Sequence, residues 1–533
     1  MPTSDDPQPS LTAVRAEALR ELRDARPGPG VGRLVSDPRV RAALSDDRPL
    51  ARLWVDAVRV LPGALGDREA AALTAVAEAH RPDPELAVAV AAALLRLAER
   101  RPPDEPPLPE GPAADALRVL DADPPPGRAD EGATEAAARW AIHRANALRL
   151  LGPTRDAEAQ EALHEALALR PEDGDFWFDA VLLHKWRGRW DDAFEAAQKA
   201  EAHLGPERRV LWNLAIAATA LGRGEDAARA WAQLGLPARV NAAGMALVEG
   251  PGGAPLPPVE VRVPSRGAGF GPANPALPEG ALSFEIVSVA PLSPCHGVVQ
   301  SPTFRETPVD WGDVVLWDGA PVGVLRATAG SPEDGGEGSR DPGTGAGVRL
   351  RFPLLEILRR GDDHRFRFLA AAGGPATPRG NQGGPPAGDA ARAHLTAALD
   401  ELADALPEGA ALVRFDESLE VVDARDPERG SSMRRLPASG RLGGTDGRLA
   451  YGKLLATPGV SLPALAELLG RFPRERGLTV VVPGLYEALG DAHRAGKEHQ
   501  AWRGLERKML APSTKTTTGP GGAPDEGGTP DGR

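Results

Sequence analysis

The chain has 533 residues, room for three or four structural units at about 150 residues each, and it is 42% hydrophobic but only 4% aromatic, a bias toward closely packed Ala- and Leu-rich helices. A net charge of −13 repels nucleic acid on average. With Cys295 the only cysteine, an intrachain disulfide and a multi-thiolate zinc site are excluded.

Only six of the 62 basic residues are lysine. The excess of Arg, Ala, Gly and Pro reads as a GC-rich, bacterial-like coding bias, not as selection for phosphate binding. The acidic N-terminus lacks an apolar leader, and the longest apolar helical run, Leu86 to Leu95, is about half the ~20 residues that cross a bilayer. A soluble cytoplasmic protein without membrane insertion is expected.

In chain order, Leu11 to Arg26 predicts an amphipathic helix through Leu11, Val14, Ala18, Leu19 and Leu22, stopped by Pro27–Gly30. Further helices are predicted at Asp37–Leu44, Pro49–Val60, Asp67–His80 and Pro84–Arg100, each set off by Asp, Gly or Pro. Residues 1–130 thus read as a helical solenoid region. Pro102–Pro112 and Asp121–Arg128 break it into irregular joints.

Residues 131–250 carry a repeat. Gly188 and Gly222 are 34 residues apart, each closing a helix and opening another. In the unit from Gly174, Trp177 takes the aromatic position of the first helix; after Gly188 come Trp190 and the small residues Ala193, Ala197 and Ala200. The unit from Arg208 places Leu211, Leu214 and Ala215 before Gly222, then Ala227, Trp231 and Leu234. A fainter unit shows in Ala159, Leu163, Ala166 and Pro171. These residues resemble the tetratricopeptide repeat family, clearly over 174–237 and more weakly back to Glu131. The resemblance implies stacked helical hairpins whose inner face binds a protein or peptide. Some such arrays clamp a partner's C-terminal carboxylate with Lys and Asn. Here the inner positions read Phe178, Asp179 and Leu182, then Trp212, Asn213 and Ile216, which favours an apolar or mixed peptide.

After a Pro/Gly-rich connection, residues 258–372 read as a β-rich module, with a small barrel as one form of it and strands at Leu282–Ala290, Val314–Trp317, Pro321–Thr328, Val348–Phe352 and Arg365–Leu369. Leu354–Arg359 reads as a short helix, and Ser331–Gly347 as a mobile loop. Residues 389–510 suggest a small α+β domain: helix Asp389–Leu406, strands Ala411–Val422 and Leu449–Ala456, helix Leu462–Arg471, strand Leu478–Val482, and a helical close from Leu485 to Met509. Residues 511–533 read as a disordered tail. The fold class expected is multidomain α plus α+β.

The densest polar stretch runs from Ser293–Gly297 to Val309–Gly323. Cys295 and His296 are adjacent, so on an extended segment their side chains point apart, which disfavours a nucleophile and base pair. An alternative ligand or enzyme site in 283–369 would draw on His296, Asp310, Asp313 and Asp318. Their spacing matches no metal motif, and Asp318–Gly319 reads as a tight hairpin turn. No phosphate loop or HExxH pattern occurs. The expectation is an adaptor that needs no cofactor or metal, with a protein or peptide partner and no nucleic acid.

Overall fold

A computed structural model of the chain describes residues 10–24, 28–61, 66–101, 108, 110–125, 131–265, 283–303, 307–326, 348–372, 387–414, 419–422, 432–435 and 449–510. The loop expected at Ser331–Gly347 and the tail expected at 511–533 lie outside them. The chain forms two compact units, Met1–Asp362 with Ser418–Leu436, and Asp363–Glu417 with Pro437–Arg533. The architecture is multidomain α plus α+β.

The first unit opens with thirteen helices among the described residues: α1 (Leu11–Arg23), α2 (Pro29–Ser36), α3 (Pro38–Ala43), α4 (Arg48–Val60), α5 (Asp67–Ala79), α6 (Pro84–Ala98), α7 (Pro112–Ala122), α8 (Glu131–Leu150), α9 (Asp156–Leu169), α10 (Gly174–Lys185), α11 (Trp190–Leu204), α12 (Arg208–Ala220) and α13 (Gly224–Gln233). The run Pro27–Gly30 does more than stop α1. Pro29 occupies a position at the start of α2 where no backbone N–H is needed, and the Glu21 carboxylate of α1 accepts from the N–H groups of Gly28, Gly30 and Val31 at 3.1, 2.9 and 2.7 Å. Pro112 likewise opens α7.

From α8 onward the helices pair as hairpins, α8 with α9, α10 with α11 and α12 with α13. The last two hairpins repeat at a spacing of 34 residues. Gly188 and Gly222 both take the left-handed conformation, φ +65° and +68°, and after each the next N–H reaches back into the preceding helix, Arg189 to His184 O at 3.0 Å and Arg223 to Ala218 O at 2.8 Å. Ala193, Ala197, Ala227 and Ala230 are fully buried, so neighbouring helices approach closely, and Trp231 fills the space that remains. The helical region is consistent with tetratricopeptide-like repeats. A hairpin of β1 (Ala238–Val240) and β2 (Ala246–Val248) packs on α13 and closes the stack, with Gly224 against the carbonyl of Gly244.

Strands β3 (Val259–Ser265), β4 (Ser283–Ser293), β5 (His296–Val299), β6 (Val314–Trp317), β7 (Gly323–Arg326) and β8 (Val348–Arg359) follow. Antiparallel pairings run β3–β4–β5–β6–β8, and a parallel pairing of β3 with β8 closes the ring into a small barrel. Val261, Val263, Val287, Val289, Val315 and Trp317 fill its interior at period two. Two expectations are corrected here. Leu354–Arg359 belongs to strand β8. Asp318–Gly319 is no hairpin turn, because β6 and β7 do not pair with each other. Both run along one edge of β8, Trp317 opposite Leu354 and Gly323 opposite Arg351, and residues 318–322 loop out between them.

The second unit contains β9 (His364–Ala372), α14 (Ala387–Asp404), β10 (Ala410–Arg414), β13 (Leu449–Ala456), α15 (Leu462–Glu475), β14 (Leu478–Val481), α16 (Pro483–Ala488) and α17 (Ala492–Leu510). Between β10 and β13, strands β11 (Leu419–Val422) and β12 (Ser432–Arg435) form a separate two-stranded sheet, so the single strand expected at Ala411–Val422 is two. The antiparallel sheet order β10–β13–β9–β14, with α14 and α15 as crossovers, is the split βαβ arrangement of ferredoxin-like folds. Phe366, Phe368 and Ala370 pack with Leu395, Leu399 and Leu402 in its core. β9 was expected in the 258–372 module; its full-length pairing with β13 places it here.

Trp231 is fully buried with its ring 5.0 Å from that of Trp212, edge to face. Trp231→Ala should therefore cost about 3–5 kcal/mol, read as a lowered denaturation midpoint of the first unit. A cost under ~1 kcal/mol would contradict this packing.

Candidate functional site

The inner face of the repeats forms a cleft of about 860 Å³. Its apolar floor is Phe178, Leu182 and Trp186 from α10 and its C-terminal turn, and Trp212 from α12, all half-buried. Helical spacing puts Phe178 and Leu182 on one face of α10. Phe178 and Trp212 are equivalent residues of successive repeats. Glu99, Arg101, Arg149, Glu207, Arg208 and Arg209 also line it, and the barrel's loop supplies Asp318, Gly319 and Ala320. The Arg209 guanidinium lies over the Phe178 ring, 4.8 Å from its centroid.

The loop is locked in place. Lys185 Nζ donates to Asp318 Oδ2 at 2.8 Å and to Asn213 Oδ1 at 2.8 Å, and the Lys185 and Asp318 side chains are only 4% and 8% exposed. Asn213 Nδ2 donates to the Arg209 carbonyl at 2.8 Å, fixing the amide's orientation. Beside them Gly319 lies flat against the indole edge of Trp212, where a Cβ would collide. Lys185 and Asn213 thus meet each other at the inner face, and the carboxylate that Lys185 holds belongs to the same chain.

Six inner-face residues were expected at the groove, and the structure separates them. Phe178, Leu182, Trp212 and Asn213 line the cleft. Ile216 does not: it is fully buried between helices, because one further turn along α12 carries this side of the helix into the stack. Asp179 is also spent on the stack. It accepts from Asn146 Nδ2 at 2.9 Å, Asn146 Oδ1 accepts from Arg149, and Arg149 pairs with Glu99 at 2.8 Å. Burial pushes the Asp179 carboxyl up to about 6, against the lowering effect of Asn146.

The alternative constellation does not converge. Asp310 and Asp313 organise one turn: Asp310 Oδ1 accepts from Thr303 and Trp311 N–H, and Asp313 accepts from Asp310 and Gly361 N–H and from Arg360 Nη1. Asp318 is committed to Lys185. His296 is fully buried, with Nδ1 2.6 Å from Ser293 Oγ and Nε2 without a hydrogen-bond partner among the described residues. Cys295 faces the repeats, Sγ 3.7 Å from Thr219 Oγ1, and burial pushes its thiol up to about 11. A protonated thiol and a neutral imidazole, both sealed from solvent, serve packing in this geometry. Among the described residues no three His, Cys, Asp or Glu side chains are grouped to hold a metal. Nor is any helix among them long and apolar enough to cross a membrane.

Removing one partner of a buried pair leaves an uncompensated charge. Asp318→Ala should therefore cost about 3–5 kcal/mol, and adding Lys185→Met should recover most of it. Equal costs for the single and double variants would contradict a locked pair. Burial also pushes the His296 imidazole down to about 4. The unfolded chain, with an ordinary value near 6.5, binds the proton first. This histidine's contribution is thus full above pH ~6.5 and is lost toward pH 4, by on the order of 3 kcal/mol. His296→Phe should reduce the slope of that part of the pH–stability profile and leave the share of His143, whose imidazole burial also pushes down to about 4.

No family model and no curated protein matches the chain. Among solved structures, the crystal structure of MamA is similar over 35% of this chain and 90% of its own, at 18% identity and a TM-score of 0.25, a likeness too slight to carry an argument.

Proposed function

We propose that the protein is an interaction adaptor that captures a peptide or helix of another protein in the cleft between the repeats and the barrel loop. One observation carries this reading. Phe178, Leu182, Trp186 and Trp212 form a continuous apolar floor that is only half-buried, inside a preformed concavity of about 860 Å³. Such a floor gains by receiving an apolar anchor, whereas a face that only stacks repeats closes over itself, as it does around Ile216.

The cleft is composite. Helices α10 and α12 supply the floor, and the barrel supplies a wall through Asp318–Ala320. A bound segment would touch both, so the barrel acts in recognition as well as in packing. The second unit, with its own core and split βαβ sheet, would carry a second component, a role that its fold by itself does not specify.

Leu182 is partly exposed on the floor and makes no polar contact. Leu182→Asp should abolish partner capture, a loss of at least about tenfold from the one buried leucine, with the melting temperature of the full chain nearly unchanged. The check is affinity purification from the native organism with the wild type and the variant side by side. Undiminished capture by the variant would reject the cleft as the binding site.

A further inference from the structure

The cleft reads charge as well as apolar shape. Its wall carries five cations, Arg101, Arg149, Lys185, Arg208 and Arg209, against three carboxylates, Glu99, Glu207 and Asp318. The chain as a whole runs the other way, with 62 basic against 75 acidic residues. All three carboxylates are already paired: Asp318 with Lys185, Glu99 with Arg149 and Glu207 with Arg209, each at 2.8 Å. Arg209 is held by Asp175 as well, at 2.5 Å. Arg208 stands exposed on the rim with no ion pair among the described residues.

The placement of these arginines is informative. Arg208 and Arg209 open α12, whose first turn contains no acidic residue. The positive end of the helix dipole disfavours cations there, and carboxylates are the stabilising choice. Glu207 at the N-cap supplies one, and it holds Arg209 together with Asp175, at 2.8 and 2.5 Å, so Arg208 is the cation that stands at this end against the dipole, at a cleft with an aromatic floor. A negatively charged occupant would be drawn by Arg208 and by the helix's positive end.

We propose that the occupant is an acidic peptide: a segment of a partner protein in which one or two apolar anchors are flanked by aspartate or glutamate. This rests on the reading of the cleft as the partner site. The apolar anchors seat on Phe178, Leu182, Trp186 and Trp212, and the flanking carboxylates meet the Arg208 rim. Recognition does not centre on a chain-terminal carboxylate, because Lys185 Nζ, which would hold one, is taken by Asp318 and Asn213 Oδ1, and the Asn213 amide N–H donates to the Arg209 carbonyl. A basic peptide would meet like charge at Arg208, and a neutral one would leave Arg208 uncompensated.

The experiment is selection from a random dodecapeptide library displayed on phage, using the full-length protein and the full-length Leu182→Asp variant as parallel targets. Peptides retained by the wild type and lost on the variant are the cleft-dependent set. These should be enriched in Asp and Glu at least about twofold over the input and should carry an apolar anchor. Synthetic copies should bind about fivefold more weakly to Arg208→Glu, the upper range for one exposed ion pair, with its melting temperature unchanged. They should also weaken with added salt. A cleft-dependent set that is neutral or basic would overturn the acidic preference and leave the cleft as the partner site. A selection that yields no cleft-dependent peptide would overturn both.

Discussion

The placing of the barrel's loop against the repeats depends on one buried ion pair, Lys185 with Asp318, completed by the Asn213 amide. Separated by 133 residues in the chain, the two side chains are withdrawn almost entirely from water. A buried pair contributes little net stability compared with apolar packing, but breaking it leaves a charge with nowhere to go. What it supplies is position. It fixes the five-residue loop between β6 and β7 against the repeats, and in doing so it sets one wall of the cleft and occupies the polar groups that would otherwise be open to a ligand.

The pair is supported by strands that are buried on both sides. On β6, Val315 and Trp317 point into the barrel while Leu316 between them joins the helical core. On β8, Phe352, Leu354 and Ile357 serve the barrel and Leu355 and Leu358 pack against the repeats, while Glu356 accepts from Trp190 Nε1 at 2.5 Å. Cys295, in the turn before β5, belongs to the same helical core. The barrel is thus seated on the repeats by ordinary apolar burial, and the ion pair and the Trp190 bond set its orientation.

Much of this was legible in the sequence, for physical reasons. The 34-residue spacing of Gly188 and Gly222 marked two left-handed turns, and the alanines between them marked close helix contacts. Strand Leu449–Ala456 and the helices of the second unit also carried clear periodicity. The errors trace to burial on two faces: Leu354, Leu355, Ile357 and Leu358 read as a helix because a strand covered on both sides loses its alternation. Proline at the first position of α2 and α7 looked like a stop. At the site, Phe178, Leu182, Trp212 and Asn213 were readable from helical spacing, but no local pattern separates them from Ile216, which one more turn carries into the stack. Lys185 had a faint signal as one of six lysines in an arginine-rich chain. Its partner lay in a loop that read as a self-contained hairpin turn, and contacts across such distances in sequence leave no periodic trace.

The central claim is that repeats and barrel are one cooperative body held in register by Lys185 and Asp318. Peptide-resolved hydrogen exchange on the full chain tests it most directly, comparing the wild type with Asp318→Ala. The account predicts that protection falls together in α10 and α12 of the repeats and in β5, β6 and β8 of the barrel, while β9 and β13 of the second unit are unchanged. Loss confined to the barrel, with α10 and α12 as protected as in the wild type, would show that the two parts are stable independently and would contradict the account.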